Sequence, residues 1–325
     1  MKKRFGISVA GSILLDKIYE ISAFPSSGEL TQIRNISLAP GGLVPNVACD
    51  IKRISNAIPV SAIGRVGKDQ EYQYIKNYLQ NNGVCTSGII EDENEKTSFT
   101  DVMSIPGGQR TFFTYAGASA SFGFADIDLE NLDSKILHLG YFLLLDKVDN
   151  GDGLKILKRA KELGIKTSID LVSENSDRYS LIIPCLPYVD YLIINELEAS
   201  SITGIESTNN NLEKTAKKLF ELGVNEKVII HKTDLSVCLS KDGFTVLPSF
   251  NIPKEYIKGT TGAGDAFCAG ALIGIYEGLT DYEILDLGSC AAATSLSAAD
   301  ATSGIMPKEQ FAQIKNSFER KKICL

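Results

Sequence analysis

The stretch Lys258–Gly278 reads KGTTGAGDAFCAGALIGIYEG, and the rest of the chain is organised around it. Gly262, Ala263, Gly264 and Asp265 stand directly before a run in which Phe267, Leu272, Ile275 and Tyr276 recur at roughly helical spacing. A small-residue turn therefore runs into a helix. Glycine admits backbone angles closed to other residues, and the first amides of a helix have no partner inside it, so such a corner suits an anion, phosphate above all. An aspartate there repels the phosphate it faces unless it has another task. Held ionised by free amides and the helix dipole, it can take the proton of an attacking hydroxyl, which is phosphoryl transfer to an alcohol. An aspartate in the first turn is also among the commonest helix caps, and on spacing alone capping is the plainer reading of Asp265.

Composition narrows the classes. At 325 residues, 44% hydrophobic, the chain can bury a sizeable core. A net charge of −7 with no cluster of Lys and Arg argues against a nucleic-acid partner. Seven cysteines without a CxxC pair and two histidines, His138 and His231, make structural zinc a poor reading; the thiols read as small core residues of a protein in a reducing cytoplasm. Met1-Lys2-Lys3-Arg4 followed by FGISVAGSILL looks faintly like a signal peptide, but Gly6, Gly11 and Ser12 interrupt it and Asp16 and Lys17 close it. The segment is too short to span a bilayer and is expected to be a first buried strand, with no membrane partner.

Outward from the glycine corner, the pattern predicts an α/β protein. FGISVAGSI is a strand with Asp16 just past its end. Residues 18–21 and 31–38 are short extended segments broken by Pro25 and Gly28, an excursion from the main sheet. Pro40, Gly41 and Gly42 lead into a helix over 45–55, again glycines before a helix start. Strand 61–66 precedes a helix carrying Tyr74, Ile75, Tyr78 and Leu79, and 97–115 forms a hairpin around Pro106-Gly107-Gly108 that pairs with the excursion. Strands at 136–139, 166–170, 191–195 and 227–231 then alternate with helices at 153–163, 180–185 and 212–222, and this alternation implies a parallel sheet covered by helices. A strand at 237–239 follows, and helices at 282–299 and 308–321 close the chain. His138 and His231 end strands and are expected to be structural; Arg110 and Arg178 are expected on the solvated surface.

Asp170 after KTSID and Asn195 to Glu198 after YLIIN put polar groups at strand ends, where ligands of open α/β sheets bind. Each alone is an ordinary turn or first-turn acid. No GxxxxGK[ST] and no GxGxxG opening a βαβ unit is present, so Walker and Rossmann sites are excluded.

Together, APGGLVPNVACDIKRI (39–54), AIGRVGKD (62–69) and GTTGAGDAFCAGAL (259–272), with AGASASF, LHLGYFLLLD and VDYLIINELEASSITG between them in order, resemble the ribokinase-like (PfkB) carbohydrate kinase family. The likeness covers nearly the whole chain. It implies one ribokinase-like three-layer α/β/α domain over 1–325 with a mainly parallel central sheet, and a small β lid formed by about 14–40 and 97–117. It implies an ATP-dependent sugar kinase in which Asp265 is the base and Gly262, Ala263 and Gly264 form the anion hole. Asp16, Gly41, Gly42 and Asn46 would hold substrate hydroxyls. Asn195, Glu198, Lys232, Thr233, Thr261, Gly262 and Gly264 would bind the nucleotide, with Glu198 holding Mg²⁺ largely through water. A homodimer through the lid follows from the same resemblance.

Departures from the family pattern are specific. Gly259 stands where an aspartate usually helps hold a monovalent cation, so potassium activation is not implied. Thr233-Asp234-Leu235-Ser236 replaces a Gly-x-x-Gly element at the nucleotide. Two other functions remain open: a nucleoside kinase using Phe99, Phe112, Phe113 and Tyr115 around a base, and a non-catalytic sugar-binding regulator on the same scaffold.

Overall fold

A computed structural model describes residues 4–173 and 177–323. Its strands are β1 (Ile7–Ala10), β2 (Leu14–Ile21), β3 (Ile33–Gly41), β4 (Val60–Gly67), β5 (Cys85–Asp92), β6 (Ser98–Ser104), β7 (Arg110–Tyr115), β8 (Ile136–Phe142), β9 (Lys166–Leu171), β10 (Tyr191–Asn195), β11 (Lys227–His231), β12 (Leu235–Ser240) and β13 (Gly243–Pro248). Its helices are α1 (Leu43–Ile54), α2 (Gln70–Asn81), α3 (Gly117–Ala120), α4 (Gly153–Glu162), α5 (Glu196–Thr203), α6 (Leu212–Glu221), α7 (Ala263–Glu277), α8 (Asp281–Ser295) and α9 (Phe311–Ser317).

A large sheet has the order β13-β12-β11-β10-β9-β8-β1-β4-β5 and is parallel except where β12 pairs with β11 and β13. Its inner strands are apolar on both faces because helices cover both. Ile7 and Val9 of β1, with Ile193 of β10, join the cluster formed by α1, α2, α7 and α8, while Ala10, Leu137, Leu192 and Ile194 join the one formed by α4, α5 and α6. Side chains of a strand alternate between faces, so each inner strand ties the two cores together. The chain is thus a three-layer α/β/α fold with a mainly parallel sheet. A smaller sheet, β3-β2-β6-β7, is built from the 14–41 and 98–115 segments; β2 is parallel to β6 and antiparallel to β3.

Several local expectations are corrected. β5 was not foreseen, because CTSGIIED mixes polar and apolar residues without alternation; it forms the edge beside β4. Residues 178–188 form tight 3₁₀ turns rather than an α-helix, since Pro184 and Pro187 lack the amide an α ladder needs. α1 starts at Leu43, two residues before Pro45. The last helix stops at Ser317, after which Arg320 pairs with Phe250 in an antiparallel bridge. α8 stops at Ser295, short of the expected 299. Cys85 is exposed on β5, whereas Cys49, Cys185, Cys238, Cys268 and Cys290 are buried core residues; Cys324 lies outside the described residues. His138 sits within β8, because that strand runs on to Phe142.

Candidate active site

Gly262 is the N-cap of α7 in the left-handed region, at φ 78°. A Cβ there would lie 2.4 Å from that of Ala301, so both angle and space demand glycine. Having no side chain, Gly262 caps nothing. The amide of Ala263 makes a long turn bond to the Thr260 carbonyl (3.3 Å), and among the described residues no acceptor reaches those of Gly264 and Asp265. With the amide of Gly262, which likewise meets no acceptor among the described residues, these are the free donors of the corner.

Asp265 does not cap α7 either. Its carboxylate turns sideways: Oδ2 accepts from Asn46 Nδ2 of α1 at 2.8 Å, and the Tyr141 hydroxyl lies 3.1 and 3.2 Å from its two oxygens. Only 6% exposed, its carboxyl is pushed up to about 7, first by burial and then by the charge of Asp170, while the bonds from Asn46 and Tyr141 pull the other way. Asn46 Oδ1 is buried with no partner among the described residues, an acceptor left over beside Asp265.

The start of α1 is set by glycine in the same manner. At Gly42 (φ 83°) a Cβ would press on the Ser12 carbonyl oxygen at 2.8 Å, and at Gly41 one would come within 2.5 Å of Asp16 Oδ2. Ser12 supplies the cap that the glycines cannot: its Oγ accepts from the Leu43 amide and its carbonyl from that of Val44, both at 3.1 Å. Burial pushes the Asp16 carboxyl up to about 6.

α5 is capped conventionally. Asn195 Oδ1 accepts from the amides of Leu197 and Glu198, and Glu198 Oε2 accepts from that of Asn195 at 3.0 Å. Ser173 Oγ donates to Glu198 Oε1 at 2.9 Å. Glu198 is 3% exposed, and burial raises its carboxyl to about 7, with Asp170 adding to the rise and the bonds from Asn195 and Ser173 opposing it.

Two cavities meet at this point. One of about 180 Å³ is bordered by Asp170, Asn195, Glu198, Gly262 and Asp265. The other, about 320 Å³, is walled by Phe250, Ile252, Ile257, Phe267 and Leu296. His231 and Gly264 border both, so a polar chamber rich in carboxylates opens past the free amides onto an apolar one. This shape fits a molecule with a polar end and an apolar end.

A profile describing the pfkB family carbohydrate kinase matches residues 7–309. The chain belongs to the pfkB family of carbohydrate kinases. It is similar to ribokinase of Arabidopsis thaliana (27% identical over 293 residues, 87% of this chain and 74% of the relative) and to fructokinase-2 of Oryza sativa subsp. japonica (26% over 276 residues, 82% and 78%). A solved structure of Arabidopsis thaliana ribokinase complexed with ribose and ATP superposes with a TM-score of 0.83 at 24% identity, covering 96% of this chain and 98% of that one. The protein is a sugar kinase of this family, a phosphotransferase with an alcohol group as acceptor.

Within the kinase, Asp265, Gly264, Asn46, Glu198 and Asn195 are brought to or beside one chamber, while Asp16, Gly41 and Gly42 line the entry to α1. Of the other expected contacts, Lys232 and Thr233 border the apolar cavity. Lys232 Nζ is bound to Asn209 Oδ1 (2.7 Å) and turned toward the Ser207 carbonyl (3.3 Å). Thr260, not Thr261, borders the apolar cavity, with Thr233 beside it. Thr233 and Asp234 form the tip of a tight hairpin closed by the Lys232 amide on the Leu235 carbonyl (2.8 Å). A Cβ at Gly259 would lie 2.9 Å from the carbonyl oxygens of both Ala298 and Ala299, so an aspartate would not fit without moving that loop. Arg178 is occupied by the Leu143 carbonyl and by Asp149, and Arg110 is exposed on β7.

Tyr141 was not found by sequence reasoning. It has φ 56°, rare for a bulky residue, and its amide donates to Asp170 Oδ1 at 2.9 Å. Burial and the nearby Asp265 and Asp170 hold its phenol well above the usual range, so it is a neutral donor.

Proposed function

We propose that the kinase transfers the γ-phosphate of ATP to a hydroxyl of a sugar or sugar derivative, with Asp265 as the general base. The observation that carries this is the carboxylate of Asp265, buried in the first turn of α7 yet caps nothing, facing Asn46 and Tyr141 beside two free helix amides. A hydroxyl next to it can give up its proton as it attacks, and the amides of Gly264 and Asp265 favour the charge on the migrating phosphoryl. Asp16 and the spare Oδ1 of Asn46 are acceptors for neighbouring hydroxyls. The apolar cavity takes the nucleobase, against Phe250 and Ile257.

Mg²⁺ prefers oxygen donors and keeps several waters. Glu198 brings a carboxylate to the polar chamber near Asp265, and burial, with the charge of Asp170 adding to it, raises both carboxyls, a cost of ionisation that a divalent cation relieves. The residues fit the ion, with Glu198 acting largely through water. When bound, Mg²⁺ neutralises phosphate charge; positioning by the chain supplies the rest.

The small sheet β3-β2-β6-β7 serves as a lid that keeps water from the phosphoryl group within a single kinase domain. Ile33, Ile36, Leu38, Phe112, Phe113 and Tyr115 expose apolar area on it, and a second copy of the chain would cover that area, giving a homodimer. Light scattering of the purified protein should give twice the mass of the chain; a monomer at all concentrations contradicts the pairing.

A coupled ADP-release assay over a panel of sugars and nucleosides tests the reading. Turnover with a sugar, lowered by roughly 10²–10⁴ in Asp265→Asn, is expected. Nucleoside turnover alone would move the substrate to the alternative class, for which the Phe99–Tyr115 pair at 5.4 Å offers a stacking surface. Binding of sugars with no phosphorylated product would replace the enzyme by a regulator.

A further inference from the structure

One turn beyond Asp265, the same face of α7 carries Cys268, whose sulfur meets two groups on the sheet beneath. His138 of β8 and Ser168 of β9 are cross-strand partners, and His138 Nδ1 lies 3.0 Å from Ser168 Oγ. The other ring nitrogen, Nε2, lies 3.6 Å from Cys268 Sγ and 3.7 Å from Asp170 Oδ2. Asp170 Oδ1 is taken by the Tyr141 amide, which leaves Oδ2 directed at the imidazole. All three residues are buried, at 0%, 2% and 7% exposure for His138, Cys268 and Asp170, and their donor atoms lie within 4.8 Å of one another.

We propose that His138 Nε2, Cys268 Sγ and Asp170 Oδ2 form a binding site for a thiophilic divalent cation of the Zn²⁺ class, separate from the Mg²⁺ position at Glu198. Bonds of about 2.0–2.3 Å to a tetrahedral zinc place nitrogen, oxygen and sulfur donors roughly 3.3–3.8 Å apart, and the separations of Nε2 from Sγ (3.6 Å) and from Oδ2 (3.7 Å) fall in that range. The donor types are those of zinc rather than magnesium, which takes oxygen. The Ser168 hydroxyl can accept from Nδ1–H, which leaves the Nε2 lone pair facing the carboxylate and the sulfur; a ring nitrogen held in this way by its other N–H is the usual arrangement of a metal-bound histidine. On binding, the Cys268 S–H bond breaks and its proton goes to solvent as the sulfur–metal bond forms. Thiolate and carboxylate then balance the two charges of the ion, so the buried site is neutral. Cys268 and Asp170 border the polar chamber, which gives the ion a path in and room for a water as fourth ligand.

The test is a Co²⁺ titration of the full-length, chelator-treated protein, followed by absorbance. One equivalent should produce a thiolate-to-cobalt band in the near ultraviolet together with intense visible bands of a tetrahedral ion, and Zn²⁺ should displace them. Cys268→Ser should lose the ultraviolet band, and His138→Gln should weaken Co²⁺ binding by at least about tenfold. Cys85→Ser, which alters the exposed thiol, should leave the spectrum unchanged. Thermal melts of each variant, compared with the parent, identify any that fail to fold. The proposal is overturned if the parent protein shows no thiolate band, or if the band survives in folded Cys268→Ser or vanishes in Cys85→Ser. Cobalt held only by oxygens at Glu198 would give weak visible bands without a thiolate band, which also counts against it.

Discussion

The starts of α5 and α7 present the same feature to a reader of the sequence: an acid as the third residue of a helix that follows a strand end or loop. In α5 the pair Asn195 and Glu198 closes a capping box, each side chain accepting from the other's backbone. In α7 the N-cap is Gly262, which has nothing to offer the amides, and Asp265 turns away to Asn46 and Tyr141. The same residue class in the same position thus stabilises a helix in one place and leaves reactive groups in the other. What differs is the residue three positions earlier: an asparagine satisfies the amides, a glycine leaves them free.

This contrast can be broken or sharpened by substitution. The largest effect expected is on turnover: Asp265→Asn should lower it by roughly 10²–10⁴, with ATP affinity from calorimetry changed less than about threefold. Next come the stabilities, which should move in opposite directions. Asn195→Ala removes a cap and should cost about 1 kcal/mol, seen as a lower denaturation midpoint. Asp265→Asn removes a buried carboxylate. Its carboxyl is raised from 3.8 to about 7 on folding, so the cost of ionising it is absent below the unfolded value and complete above the folded one. At pH 8 the variant should therefore be more stable than the parent, by up to about 4 kcal/mol for a shift of this size, and the gap should close by pH 4. Equal loss of stability in both variants at pH 8 would mean that Asp265 also has a structural task.

Smaller effects follow from the neighbours of Asp265. The Tyr141 hydroxyl favours the charged carboxylate, so Tyr141→Phe should move the acidic limb of the rate profile upward by up to about one pH unit. An unchanged limb would remove Tyr141 from the base's surroundings. The smallest effect belongs to potassium. With carbonyl oxygens of Ala298 and Ala299 crowding Gly259, replacing K⁺ by tetramethylammonium should change turnover less than about twofold, measured in the same ADP-release assay.

The glycine corners were legible in the sequence because glycine before a periodic apolar run has few other uses, and the order of strands and helices followed from the same periodicity. The helix start at Gly42 is legible for this reason, but its cap, Ser12, is not: it comes from a strand end thirty residues away in sequence. Tyr141 escaped because a positive φ on a tyrosine has no sequence signal; only the fold imposes it. Lys232 shows the same limit in another form. It borders the apolar cavity, where the resemblance would put it, but the hold of Asn209 and Ser207 from the α5–α6 connection on its ammonium has no signal in the sequence. Three-dimensional neighbours decide such cases, and spacing along the chain does not carry them. The cluster of His138, Asp170 and Cys268 is of this kind as well: its members come from three separate elements, and none of the spacings between them resembles a metal motif.

The most direct test of Asp265 as the base is the pH dependence of kcat/KM for the sugar, measured side by side in the parent and in Asp265→Asn. The parent should lose activity as the pH falls through about 7, with a slope of one proton, and the variant should be slow with no such limb. A parent profile flat down to pH 5, or a variant that keeps the limb, would contradict the assignment.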